Sequence, residues 1–168
     1  MSTALEPRKS TDSKPSLPPS SGRGRGGPRS VPGARPEYDD EQLADRLGIK
    51  ITSWDPDRLV GTMPVKANRQ SYGLLHTGAS AALASTLGGM AAAMRAGPDR
   101  MALGLELSCI NHRTVYEGLI TAVCTAVHAG NNVATYEILV TDSRNRRICT
   151  ARFTCVLRDR TTDDPSTM

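Results

Sequence analysis

Between Thr77 and Ala96 the chain runs twenty residues with no proline, no acidic side chain and one charge, Arg95; eight of the twenty are alanine and three are glycine. That length and composition predict a helix, since alanine is the strongest helix former and strands seldom run so long. The small side chains leave room for the backbone to come close to another layer. After Gly97-Pro98 the character of the chain reverses. Residues 101–115, 119–129, 134–141 and 148–158 are rich in β-branched side chains, with breaks at Glu117-Gly118, Gly130-Asn131-Asn132 and Ser143-Arg144-Asn145, residue types that favour turns. One long helix followed by consecutive antiparallel-looking strands predicts an α+β fold. The small residues of the helix further predict a curved antiparallel sheet wrapped around one long central helix.

Upstream of the helix, residues 49–54 and 59–65 alternate in polarity and flank Asp55-Pro56-Asp57, a hairpin signal. Leu43 and Leu47 follow Asp39 and Gln42, spaced as a capping box, and precede Gly48, which predicts a short helix. Residues 70–75 read as a loop. The first 36 residues differ in kind, holding seven Pro, seven Ser and five Gly, and they bury too little apolar surface to offset chain entropy. The expected organisation is a disordered basic tail over 1–36, one domain over 37–160 and a disordered C-terminus over 161–168.

Charge and cysteine usage narrow the function. Seven of the 21 Lys+Arg but only two of the 17 Asp+Glu lie in the first 36 residues, so the tail carries +5 and the remainder −1. A strongly basic folded surface is excluded, and with it a nucleic-acid-binding domain argued from net charge. Residues 22–29, GRGRGGPR, resemble a nucleic-acid-binding arm but lack the interleaved aromatics that stack on bases, so a solvated linker is the preferred reading. No apolar run reaches the ~18 residues of a membrane span, and residues 1–36 contain no apolar signal-peptide core. The expectation is a cytoplasmic protein. Cys109, Cys124, Cys149 and Cys155 form no C-x-x-C pair; they read as buried free thiols, with no metal site and no cofactor.

Chemistry concentrates where the loop meets the long helix, at Gln70-Ser71-Tyr72-Gly73-Leu74-Leu75-His76-Thr77-Gly78. A helix N-terminus offers unpaired N–H groups and partial positive charge. The amides of His76 and Thr77 are placed to form an oxyanion hole, and Gly78 removes a side chain where a ligand would approach the backbone. The competing reading of His-Thr-Gly is a capped helix start and nothing more.

Residues 62–92, TMPVKANRQSYGLLHTGASAALASTLGGMAA, resemble the hotdog-fold acyl-CoA thioesterases of the PaaI type, and among them the enterobactin-proofreading and menaquinone-pathway branch related to hydroxybenzoyl-CoA thioesterases. Gly104-Leu105-Glu106, Tyr116-Glu117-Gly118 and Val127-His128-Ala129-Gly130 fall where that branch has G-L-E, a residue-Glu-Gly turn and an L-H-x-G turn. The resemblance covers residues 43–157. It implies a hotdog fold, hydrolysis of an acyl-CoA to free acid and coenzyme A, and a site shared between subunits of a homodimer or homotetramer. It also implies that Gln70 positions the lytic water or thioester, that His76 holds the acyl end, and that Thr77 supplies the oxyanion-hole N–H.

One departure from the family is chemical. The family carries its catalytic Glu or Asp nine residues after the histidine, where this chain has Ser85, and no Asp or Glu occurs between Asp57 and Asp99. Three readings follow: a weak thioesterase, a Ser85 nucleophile activated by His112 of another subunit, or a non-catalytic acyl-thioester or acyl-carrier binding protein. Asn111-His112 lies one position later than the branch's Asn-His, and a one-residue slip exchanges the faces of a strand. Asn111 is then expected toward the pocket and His112 away from it. Arg113, Arg95 and Arg100 are the candidates for coenzyme A phosphates, and Tyr72 for lining an acyl pocket. His128 reads as structural; Trp54, Tyr72 and Tyr136 read as core or interface residues.

Overall fold

The computed structural model describes residues 42–160. The expected tail over 1–36, the Asp39 half of the capping box and the expected C-terminal segment lie outside the described residues. The elements are α1 (Leu43–Arg46), β1 (Lys50–Ser53), β2 (Arg58–Pro64), α2 (Thr77–Ala96), β3 (Arg100–Asn111), β4 (Leu119–Ala129), β5 (Val133–Thr141) and β6 (Arg147–Asp159). The six strands form one antiparallel sheet in the order β1-β2-β4-β5-β6-β3. Among the described residues, β1 and β3 are therefore its edges.

The hairpin between β1 and β2 closes as its turn residues predict. The Asp57 amide donates to Asp55 Oδ1 at 2.8 Å and the Arg58 amide to the Asp55 carbonyl at 3.1 Å. Along β2, β4, β5 and β6 burial alternates, so one face of the sheet is apolar. That face packs onto α2, which touches β2 through β6.

Small residues set the height of α2 above the sheet. Ser80, Leu83, Ala84, Leu87, Gly88, Ala91 and Ala92 are buried, a helical repeat that turns one stripe inward. A Cβ built on Gly88 would lie 2.5 Å from Phe153 Cδ1 and 2.8 Å from Cγ, closer than atoms can pack. The ring's far edge rests on Gly104, where an added Cβ would sit 3.0 Å from Cε2. Phe153, 5% exposed and the only phenylalanine in the chain, is thus clamped between helix and edge strand. The opposite stripe of α2, which includes Ala82, Ser85 and Gly89, is only partly covered by the described chain.

The structure corrects the expected run over 101–115: β3 ends at Asn111. The amides of His112 and Arg113 both point at the Ile148 carbonyl, at 2.8 and 3.4 Å, which ends the regular ladder. The chain then leaves the sheet edge, and buried Val115 accepts a hydrogen bond from the Leu75 amide at 2.8 Å. Residues 112–115 become a wall beside the start of α2. Trp54 and Tyr72 are exposed and so are not core, whereas Tyr136 is fully buried. Cys124, Cys149 and Cys155 are buried free thiols, while Cys109 is half-buried. Burial pushes the Cys124 thiol up to about 12 and Cys149 to about 11.

Candidate active site

The start of α2 is built by the loop before it. Asn68, 6% exposed, donates from Nδ2 to the carbonyls of Leu47 and Pro64, both at 2.8 Å. Its carbonyl accepts the His76 amide at 2.8 Å. A tight turn follows, with the Gln70 amide donating to the Leu74 carbonyl at 2.8 Å and the Gly73 amide to the Gln70 carbonyl at 2.9 Å. Arg69 Nη2 donates to the Tyr116 carbonyl at 2.6 Å. The loop is thereby tied to residues 115–116 on one side and to α1 on the other.

His76 is the N-cap of α2, and its Nδ1 accepts the Gly78 amide at 2.9 Å. A neutral imidazole that accepts at Nδ1 carries its proton on Nε2, so the exposed ring presents an N–H donor. The same contact gives Gly78 a role beside the expected one: a Cβ there would sit 3.0 Å from His76 Nδ1, so the glycine makes room for the capping ring.

The donors at the helix start can be counted. The His76 amide is spent on Asn68, Gly78 on the His76 ring, and Ala79 on the His76 carbonyl at 2.9 Å. The Ser80 amide makes a longer bond of 3.4 Å to the same carbonyl. Only the Thr77 amide has no partner among the described residues. The expected pair of His76 and Thr77 amides is therefore corrected to Thr77 alone. The first turn of α2 has no acidic side chain to neutralise the positive end of the helix.

Thr77 lines a cleft of about 180 Å³. Gln70, Ser80, Asn111, His112, Arg113 and Thr114 supply its other polar walls, and Leu74, Leu75, Val115 and Ile148 the apolar ones. The structure thus brings together Gln70, Thr77, Asn111, His112 and Arg113. It leaves His76, Gly78, Tyr72 and Ser85 outside the cleft lining. Tyr72 is 83% exposed. Ser85 lies half-buried on the outward stripe of α2, on the same helix face as Gly78.

Asn111 and His112 both line the cleft, which corrects the expectation that His112 points away from it: β3 ends at Asn111, so the alternation of a strand does not govern the residue after it. Asn111 is paired with fully buried Cys149, which places it on the inner face. His112 instead bonds Thr150 Oγ1 through Nε2 at 2.9 Å, so that ring atom is already engaged. Arg113 has no acidic partner among the described residues. Arg95 is paired with Asp57, and Arg100 with Asp159 and the Asn131 and Leu157 carbonyls. Of the three candidate phosphate ligands, only Arg113 is both uncommitted and at the cleft. His128 packs its ring over Gly130, where an added Cβ would sit 2.7 Å from Nε2, in keeping with a structural role.

Sequence reasoning passed over Asn68 and Ser80. Ser80 is three residues after Thr77 on a helix, a spacing that puts it near Thr77 along the helix surface, and that signal was available. Asn68 gave none, because its partners Leu47 and Pro64 are brought together only by the fold.

Residues 72–149 match the family model described as the Thioesterase superfamily. The proofreading thioesterase EntH of Cronobacter turicensis is 42% identical over 112 residues, covering 66% of this chain and 82% of that protein. EntH of Cronobacter sakazakii is 40% identical over 116 residues, 68% and 85% of the two chains. Among solved structures, thioesterase HI1161 from Haemophilus influenzae superposes with a TM-score of 0.71 at 28% identity, covering 76% of this chain and 90% of that one. A variant of thioesterase PA1618 from Pseudomonas aeruginosa superposes with a TM-score of 0.70 at 30% identity, covering 74% and 91%.

Proposed function

This chain belongs to the thioesterase superfamily, with the hotdog fold of its relatives, and from that premise we propose that its cleft hydrolyses an acyl-CoA thioester to a free acid and coenzyme A. The observation that carries the reading is the Thr77 amide, uncommitted at the positive end of α2 and on the wall of the cleft. An oxygen that gains charge as water adds to the carbonyl is stabilised by such a donor. Gln70 positions water or thioester, the His76 Nε2–H holds the acyl end, and Arg113 meets the phosphates of coenzyme A.

The exposed apolar edge argues for a second copy of the chain. Leu105 and Ile110 on β3 are 65% and 61% exposed, and an open edge strand invites pairing. A homodimer formed along β3 would cover it and bring a second set of residues toward the outward stripe of α2, where Ser85 lies.

One observation favours a second reading, that of an acyl-thioester binding protein without turnover: no acidic residue lines the cleft, so the usual carboxylate base is missing. Thiol release from aromatic, short-chain and long-chain acyl-CoAs separates the two, with wild type and Ser85→Glu measured in parallel. The hydrolase reading expects wild-type turnover above the uncatalysed rate and a gain on the order of a hundredfold in Ser85→Glu, the size typical of a general base. Saturable acyl-CoA binding with no thiol release would replace it by the binding reading.

A further inference from the structure

We infer that the hydroxyl of Ser80 is a catalytic hydrogen-bond donor, the partner of the Thr77 amide in holding the thioester oxygen as it becomes an oxyanion. The inference rests on the hydrolase reading above and adds a residue to it. Backbone accounting raises the need. An oxyanion site is ordinarily built from more than one preorganised donor. At the start of α2 the amides of His76, Gly78 and Ala79 are spent on Asn68 or on His76 itself, which leaves Thr77 alone. A second donor must come from a side chain.

Ser80 meets the requirement. It is 1% exposed, and it lines the cleft together with Thr77. A buried helical serine commonly turns its hydroxyl back to the carbonyl four residues earlier, but no such bond forms at Ser80; its Oγ is open to the cleft rather than sealed in the core, where Tyr136 Oη is the one buried polar side-chain atom without a hydrogen-bond partner among the described residues. A hydroxyl on a cleft wall loses its water when substrate fills the cleft, and is then costly to leave without a partner. Here a ligand atom in the cleft can satisfy it. Of the other hydroxyls, those of Thr77 and Thr114 line the cleft but belong to exposed residues that water can reach, and Ser85 is on the outward stripe and does not line it.

The step balances simply. Water oxygen bonds to the thioester carbon, the carbonyl π pair moves onto oxygen, and that oxygen is held by Thr77 N–H and Ser80 O–H. When the pair returns, the C–S bond breaks and coenzyme A leaves as thiolate. The thiolate takes one water proton and the carboxylic acid releases the other to solvent. Ser80 forms no covalent bond and keeps its proton throughout.

The experiment compares wild type, Ser80→Ala and Ser80→Thr in full-length protein. Each is assayed for thiol release and for binding of two unreactive coenzyme A derivatives, a trifluoromethyl ketone thioether and a carbonyl-free S-alkyl thioether. The hydrated ketone carries the tetrahedral oxygen; the S-alkyl compound carries none. Ser80→Ala is expected to lower kcat about a hundredfold, the usual cost of one lost oxyanion donor, with KM within threefold. It should weaken the ketone at least tenfold while the S-alkyl compound stays within twofold. Ser80→Thr, which keeps a hydroxyl, should retain kcat within tenfold. Ser80→Ala retaining more than a third of wild-type kcat, or losing both derivatives equally, overturns the assignment and leaves the hydrolase reading standing. Wild-type protein that releases no thiol overturns the hydrolase reading itself, a result distinguishable from any difference between variants. Should Ser80→Ala misfold, the same comparison of ketone and S-alkyl binding in a Ser80→Cys variant, whose thiol is a weaker donor, decides the question.

Discussion

Gly88 and Gly89 are neighbours on α2, and the same substitution should affect stability differently at the two. Replacing a helical glycine by alanine gains about 1 kcal/mol from propensity alone. At Gly89 nothing lies within 4 Å of an added Cβ, so Gly89→Ala should realise that gain. At Gly88 the new Cβ would stand 2.5 Å from Phe153 Cδ1, against the 3.4–4 Å of ordinary contact. The ring would have to retreat by nearly 1 Å, and Gly104 stands behind it. Overpacking of this kind costs roughly 1–3 kcal/mol. After the propensity gain, Gly88→Ala should lose up to about 2 kcal/mol and in any case forgo the gain seen at Gly89. Urea unfolding followed by circular dichroism at fixed protein concentration measures both variants. A second comparison isolates the clamp: Phe153→Leu should relieve the clash, so that Gly88→Ala with Phe153→Leu loses less than the sum of the two alone. Gly88→Ala as stabilising as Gly89→Ala, or strictly additive with Phe153→Leu, would refute the argument that these small residues set the height of α2.

Three further outcomes test other parts of the structure. Leu105→Asp should shift the protein from dimer to monomer in analytical ultracentrifugation and lower thiol release with it, since a charge on the β3 edge opposes pairing. Arg113→Gln should raise KM for acyl-CoA about tenfold, the scale of one charge-assisted contact, and leave KM for the corresponding acyl-pantetheine unchanged, because that substrate lacks the nucleotide phosphates. The third concerns pH. Arg146's guanidinium first, and then the Arg146 and Arg144 amides, hold the Asp142 carboxyl at about 2, below its ordinary 3.8. A depressed carboxyl contributes stability that is complete above the ordinary value and is lost as pH falls through the folded one. The unfolding midpoints of wild type and Asp142→Asn should therefore differ at pH 6 and converge between pH 4 and pH 2; a constant gap over that window contradicts the mechanism.

The parts of the fold legible in sequence were those whose cause is local. Composition alone placed α2 at Thr77–Ala96 and β4 at Leu119–Ala129, the bounds the structure gives, because alanine runs and turn residues act on their own neighbours. The end of β3 was not legible. Thr114 and Val115 favour strands, but the two amides before them converge on one carbonyl of β6, a long-range event without a local mark. The same limit governs the site. That a helix would start at Thr77 was readable, whereas which of its amides remain free depends on Asn68, held in place by Leu47 and Pro64. His76 was singled out for its ring, and the ring's first duty turned out to be capping its own helix. Ser80 was read as one more small residue because periodicity marks a face without saying whether a cleft lies against it.

The two stripes of α2 carry different parts of the proposed machinery. The inward stripe lets the helix settle onto Phe153, and that depth carries Thr77 and Ser80 to the cleft wall. The outward stripe, where a carboxylate is expected from the resemblance, carries Ser85. On the proposed assignment the donors that stabilise the oxyanion and the position of the usual carboxylate are different residues of one helix, Thr77 and Ser85 lying about two turns apart, and losing the carboxylate leaves the donors intact. Loss of a general base typically costs 10²–10⁴-fold, while each oxyanion donor is worth roughly 10²–10³-fold. With both donors retained, slow hydrolysis persists without the carboxylate. Restoring it at Ser85 should then multiply kcat without changing the ratio by which the ketone derivative is preferred over the S-alkyl compound, because that ratio belongs to Thr77 and Ser80.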